Sequence, residues 1–419
     1  MKSLFLSHTT RVLAAITLLA LPGLCFALSL STAVSRTLEA SPELQLYPYH
    51  VRALDGQALQ AGLKPNPRLN AELENVLGTG ENRFLSNTEI SLSLSQLIEL
   101  GQKPERRVEV VDRQAAAIEH EYQVKRLDVI AAMLRDYYNS LRLQQLIDWN
   151  QQRIAAEQAA VSVIQRRARA GVVGQADVMR MQLRLAKSES RQAELIAQHA
   201  QSLKMLAAHW AAEPEFSGVK GELGLLPDLP DMTQLEAALQ KTPDYLLAQA
   251  EVRVNEARLA LAQAEGRADV TVGAGIRRQE GNNDNALLFS FSMPLQWHDS
   301  NQGNIASAQA QYQEKLANQD LLRTRLEVAL SRIHAAMLNN LDSLKRLQVD
   351  LRPVADSLLA EVKRGYQLGQ YGVLQWVDAQ QELFTIERQL IEAQHAVHLQ
   401  FLELERLSGA SLTAAADKE

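Results

Sequence analysis

One cysteine, twelve prolines and an aromatic content of 5% are spread over 419 residues. The lone cysteine, Cys25, follows a Lys2- and Arg11-bearing start and an apolar run from Val12 to Leu24, and it precedes Phe26-Ala27. That order is a secretory signal peptide cut after Ala27, in a run too short to span a bilayer as a stable helix. Leu24 stands where a lipoprotein signal wants a small residue, which argues against a lipid on Cys25. Cleavage leaves a mature chain with no thiol and no intrachain disulfide. No later stretch offers eighteen uninterrupted apolar residues, so transmembrane helices are excluded, and any membrane-embedded part has to be a β-barrel. Excess positive charge is also lacking. Removing Lys2 and Arg11 takes the basic residues from 43 to 41 against 49 acidic ones, and the net charge from −6 to −8, which gives no footing for nucleic-acid binding. No Ser-His-Asp or phosphate-loop pattern occurs, and Gly273-x-Gly275 has no third glycine to complete a dinucleotide fingerprint.

The chain repeats itself at an offset near two hundred residues. Ser41-Pro42-Glu43-Leu44 returns as Thr242-Pro243-Asp244-Tyr245, Ala131-Ala132-Met133-Leu134 as Ala335-Ala336-Met337-Leu338, and Gly171-x-x-Gly174 as Gly369-x-x-Gly372. The expected organisation is a signal peptide (1–27), a first repeat (28–212), a Pro- and Gly-bearing linker (213–231), a second repeat (232–410) and a flexible tail (411–419). In each repeat, short and medium helices lead into two strands, about 68–77 and 88–98, then about 269–278 and 286–296. Two very long helices follow, about 105–170 and 175–210, then about 302–368 and 373–408.

The strands show as alternation. Leu69, Ala71 and Leu73 interleave with Asn70, Glu72 and Glu74; Ile90, Leu92 and Leu94 interleave with serines. Val272, Ala274 and Ile276, then Leu287, Phe289 and Phe291, continue the pattern, blurred only at Leu288. About ten residues is the length of a tilted strand crossing a bilayer. The helices show as absence: from Glu105 to Ala170 there is neither proline nor glycine, a reach of about 100 Å. Apolar residues recur every seven positions, as in Leu127, Leu134, Leu141 and in Leu330, Met337, Leu344, Leu351, the mark of coiled-coil packing.

Four strands cannot close a barrel in lipid, so the chain has to share one. Two copies would give eight strands and a filled interior; three would give twelve and a lumen, and a duct favours three. The fold class expected is mainly α with a β-barrel part: four transmembrane strands per chain completing a 12-stranded trimeric barrel, continued by a coiled-coil tunnel.

The order of parts, the doubled layout and three segments carry a resemblance across essentially the whole mature chain. The segments are Lys64-Pro65-Asn66-Pro67-Arg68-Leu69, Gln96-Leu97-Ile98-Glu99-Leu100-Gly101-Gln102-Lys103-Pro104-Glu105-Arg106-Arg107, and Met293-Pro294-Leu295 leading to Asn301-Gln302-Gly303-Asn304-Ile305-Ala306. The chain resembles the TolC-like outer-membrane efflux factors, and among them the heavy-metal (CzcC-like) branch. It departs from that branch at Gly101-Gln102-Lys103-Pro104, where Gly-Gly-Lys-Arg is usual. The resemblance implies an outer-membrane homotrimer in lipid that docks a periplasmic adaptor (membrane fusion protein) and an inner-membrane resistance–nodulation–division pump. It implies a passive duct for heavy-metal cations, with no enzymatic activity, no cofactor and no nucleic-acid partner.

The helix-to-helix turns carry Gly171, Gly174, Gly369 and Gly372; Gly171 and Gly369 have a local explanation, since glycine ends helices in the left-handed conformation. The resemblance adds that they form the periplasmic tip, where the adaptor docks and the tube is pinched. It further implies that Asp177 bonds Tyr366 and holds the entrance shut, so that removing the Tyr366 hydroxyl would loosen it. A family arginine falls on Tyr371, and of two entrance-ring acids one falls on Gln375 while the other is kept as Asp378. Three Asp378 side chains around an axis would attract cations. His395 and His398 share a helix face, but no Cys, His or carboxylate cluster completes a metal site around them. Two other readings remain beside the metal duct: a factor for drug or type I protein export, and a trimeric coiled-coil adhesin with a barrel anchor.

Overall fold

The computed structural model describes residues 27–409. The signal peptide up to Phe26, with Cys25, and the tail at 411–419 lie outside the described residues. Two short helices, α1 (Leu30–Ala40) and α2 (Tyr47–Gly62), precede strands β1 (Arg68–Glu74) and β2 (Glu89–Ile98) and helices α3 (Lys103–Arg169) and α4 (Gln175–Ala208). Helices α5 (Met232–Ala238) and α6 (Pro243–Glu265) then lead to β3 (Val270–Gln279), β4 (Asp284–Ser292), α7 (Gln302–Lys345), α8 (Arg352–Gln367) and α9 (Val373–Ser408). The chain is thus mostly helical with one small antiparallel sheet. Among the described residues no helix is long and apolar enough to cross a membrane.

The sheet runs β1-β2-β3-β4, so the inner pair joins residues almost two hundred positions apart. Its register puts Leu69, Leu94, Ala274 and Phe289 in one row and Ala71, Leu92, Ile276 and Leu287 in the next. Because side chains alternate across the pleat, both rows lie on one face. Nothing among the described residues covers that face: Leu69 is 69% exposed and Phe289 82%. The opposite face carries Glu72, Ser91, Arg277 and Ala286 in one row. There the Arg277 guanidinium reaches Glu89 at 3.1 Å, Glu74 at 3.5 Å and Ser91 Oγ at 3.0 Å. Among the described residues both outer edges, β1 and β4, are without a partner strand.

Strand β1 stops at Glu74, short of the expected 77, because Asn75 and Leu77 take positive φ and turn the chain. Strand β4 stops at Ser292, short of 296, just ahead of Pro294, whose nitrogen has no hydrogen to give a ladder. Both long helices that follow the sheet start immediately after a left-handed residue, Gln102 (φ 60°) before α3 and Asn301 (φ 65°) before α7.

The start of α3 is pinned to the sheet's other half. Lys103 is buried and its Nζ donates to Asp269 Oδ1 at 2.7 Å; the same oxygen accepts the Leu100 N–H at 3.0 Å. Arg107 grips Glu99 with both terminal nitrogens, at 2.6 and 2.9 Å, and its Nε donates to the Ala61 carbonyl.

The 67 residues of α3 form an unbroken helix, about 100 Å long. The run expected over 302–368 is interrupted: a π turn occupies Arg346–Leu351 and α8 begins with Pro353 in its first turn. Proline offers no N–H to the preceding turn, and the wider turn absorbs the missing bond. It also breaks the seven-residue stripe, since Leu330, Met337 and Leu344 are buried while Leu351 is 47% exposed.

The main core lies midway, where α1, α3, α4 and α9 meet. Ile130, Met133, Tyr137, Leu206 and Leu402 form it, together with Phe216, Val219 and Leu223 from the stretch expected to be a linker. That stretch is clamped in place: Leu28 pairs with Val219, and Gln144 bonds both the N–H and the carbonyl of Val219.

Candidate functional site

The end of the helical body remote from the sheet is built from the two glycine turns. Gly171 (φ +71°) and Gly369 (φ +78°) are both left-handed, as residues just past a helix end commonly are. Val172 N–H closes onto the Arg167 carbonyl at 3.0 Å and Gln370 N–H onto the Gly365 carbonyl at 2.8 Å, so both turns satisfy the last helical carbonyls in the same way. Gly174 and Gly372 are the N-cap residues of α4 and α9, in extended conformation. A Cβ added at Gly369 would touch nothing, so Gly369→Ala isolates the backbone cost of the left-handed turn, about 1–2 kcal/mol. We expect that variant to speed hydrogen exchange at Gln370 and Tyr371 about tenfold or more, with exchange in α3 unchanged. Equal exchange rates in both proteins would show that the turn does not need the glycine.

Asp177 and Gln375 are the third residues of α4 and α9 and occupy matching places. The Gln375 side chain turns back so that its Oε1 accepts the Gly372 N–H at 2.7 Å. It caps its own helix, half of a capping box. Asp177 places a carboxylate in the first turn of α4, where the helix dipole favours it.

The bond expected between Asp177 and Tyr366 is not made within the chain. Tyr366 is 3% exposed, and its hydroxyl is buried with no hydrogen-bond partner among the described residues. The physical reason is its orientation. The ring lies against the Trp376 indole, with centroids 5.0 Å apart and planes at 30°, and the Arg167 guanidinium sits 4.0 Å from its centroid. Arg167 Nη2 also donates to the Tyr366 carbonyl at 3.1 Å. Around this stack Ala160, Ile164, Val178, Met181, Val362 and Val377 form a small core shared by the ends of α3, α4, α8 and α9. Tyr371, where the family's arginine falls, lays its ring over Gly365.

Asp378 is 72% exposed and stands 3.8 Å from Arg184, whose other terminal nitrogen reaches the Val377 carbonyl at 3.5 Å. A pair that open to solvent is weak and leaves most of the carboxylate's field available. Reading the sequence singled out Asp177, Tyr366 and Asp378 but missed Arg167 and Trp376. The available signal was an arginine four residues before the first turn glycine and a tryptophan four residues after Gly372.

Of the two histidines of α9, His398 is buried and His395 half-buried. His398 Nε2 lies 3.1 Å from the Leu223 carbonyl and its ring stacks on Tyr138; burial pushes its pKa down. Burial, helped by Arg142, lowers His395 to about 4. Among the described residues no group of three or more His, Cys, Asp or Glu side chains could hold a metal ion.

A family model described as outer membrane efflux protein matches residues 33–212 and 235–410. The chain is 25% identical to the cobalt-zinc-cadmium resistance protein CzcC of Cupriavidus metallidurans, over 85% of this chain and 84% of that protein. It is 26% identical to the nickel and cobalt resistance protein CnrC of the same organism, over 71% and 70% of the two chains. Among solved structures, CusC, described as forming a transmembrane channel, has the same fold, with a TM-score of 0.77 at 15% identity, covering 91% of this chain and 92% of that one. Fold and comparisons together define a passive efflux-channel component of the outer membrane, with its helical body in the periplasm and no enzymatic role. The chain belongs to the outer membrane efflux protein family.

Proposed function

We propose that three copies of this chain form a duct that exports heavy-metal cations, receiving them through a periplasmic adaptor from an inner-membrane resistance–nodulation–division pump. The observation that carries the duct is the sheet: four strands, both edges open, and an apolar face with Phe289 at 82% exposure. Such a sheet is stable in lipid only when closed on other copies, and twelve strands leave a lumen. The matching left-handed residues Gln102 and Asn301, and the matching turns at Gly171 and Gly369, support a duplicated unit, 28–212 and 232–410, joined through 213–231. In this reading Gly171, Gly174, Gly369 and Gly372 shape the tip that the adaptor grips. Asp177, Tyr366 and Asp378 belong to the entrance, with Asp378 repeated three times as a cation-attracting ring. The similarity to CzcC and CnrC supports divalent metal ions as cargo.

The test is deletion of the gene. Cells lacking it should lose tolerance to cobalt, zinc or cadmium and regain it on complementation, with tolerance to dyes and antibiotics unchanged. Lost drug or dye tolerance with metal tolerance intact would assign the duct to a drug exporter instead.

A further inference from the structure

The entrance reading leaves open what holds one hairpin of the tip against the other, and the following rests on that reading. We propose that Arg167 is the positioning residue that keeps the entrance closed, by clamping the end of α8 through the ring and carbonyl of Tyr366. The Tyr366 hydroxyl has no part in it.

Arg167 lies in the last turn of the first long helix and Tyr366 in the last turn of α8, 199 residues later. One guanidinium makes two different contacts across that gap. Its face sits over the phenol ring at 4.0 Å, inside the range where a cation is drawn to an aromatic face. Its edge donates to the Tyr366 carbonyl at 3.1 Å, at a helix C-terminus where carbonyls lack helical partners and positive charge is favoured. The ring also stacks on Trp376 of α9, with centroids 5.0 Å apart, so the phenol joins the guanidinium and the indole at three helix ends. Tyr371 closes over Gly365 beside it, and no Cβ would fit there, its nearest ring carbon lying at 2.2 Å. The hydroxyl points into this packing and bonds nothing. Lysine could keep the charge but cannot stack and donate in one plane, which makes the clamp specific to arginine.

Single-channel conductance of the purified full-length protein in planar bilayers tests this. Arg167→Gln and Arg167→Lys should each raise the open population about fivefold, Tyr366→Leu should do the same, and Tyr366→Phe should conduct like the parent. The double variant Arg167→Gln/Tyr366→Leu should open no further than either single change. If Arg167→Gln does not assemble, Arg167→Lys, which retains the charge at the helix end, decides the outcome. Asp378→Cys, modified with a charged thiol reagent, checks the entrance itself, since Cys25 is the only cysteine in the sequence. Modification that leaves conductance unchanged would overturn the entrance reading and the clamp with it. Block by the reagent, together with parental conductance of Arg167→Lys or opening by Tyr366→Phe, would overturn the clamp alone.

Discussion

Replacing Phe289 by Arg will remove the protein from the outer-membrane fraction, whereas replacing its neighbour Leu288 by Arg will not. Phe289 stands in the apolar row with Leu69, Leu94 and Ala274, and Leu288 faces the other side of the pleat opposite Gly275. An arginine on the lipid face near the bilayer midplane costs about 2–4 kcal/mol, and in the proposed trimer three copies bring the penalty to roughly 6–12 kcal/mol per assembly. The arginine at 288 points toward the face that already carries Arg277, so it meets polar company on the side away from the apolar rows. Membrane fractionation and detergent-extracted trimer yield will read the difference. Equal yields from the two variants would mean that the apolar rows do not face lipid.

Lys103→Met will destabilise the assembled protein by about 3 kcal/mol, and Lys103→Met/Asp269→Leu will recover most of the loss. The ion pair is largely removed from water, with side-chain exposures of 9% and 22%. Taking away one partner leaves the other charge desolvated and alone, a loss of roughly 3–5 kcal/mol when burial is complete; replacing both with apolar groups removes that penalty. Recovery will fall short by about 1 kcal/mol, because Asp269 also accepts the Leu100 N–H at 3.0 Å. Denaturant unfolding in detergent measures all three proteins. A single variant within about 0.5 kcal/mol of the parent would show that water reaches the pair and that it is worth no more than a surface bridge.

The sheet was legible because alternation is a local signal. The residues that alternate, from Leu69 to Phe291, are those the register sets in rows. The helices were legible because an interval without Pro or Gly leaves few alternatives over such a length. The π turn was not read, since Leu330, Met337, Leu344 and Leu351 keep their seven-residue spacing through it; Pro353 was the warning. The stretch from 213 to 231 reads as a linker by its prolines and glycines. It packs because Phe216, Val219 and Leu223 sit among them, and a few apolar side chains suffice to anchor a segment. At the tip, the resemblance supplied residue identities but no rotamers. Whether Tyr366 turns its hydroxyl outward or its ring inward depends on Arg167 and Trp376, one of them 199 positions away, and no local pattern encodes that choice.

The inner position of β2 and β3 in the sheet has a kinetic consequence. The contacts among the described residues leave β1 and β4 as free edges, and in the proposed barrel each edge waits for a strand from another molecule. In the proposed trimer, barrel closure therefore needs encounters between subunits and is at least second order in them. Its rate falls steeply when synthesis slows, and export capacity will respond to expression more sharply than linearly. Until partners arrive, each subunit carries two exposed strand edges beside an uncovered apolar face, the combination most prone to aggregate. In the proposed trimer, a subunit with an altered β1 edge will leave intact assemblies only in proportion to the cube of the wild-type fraction.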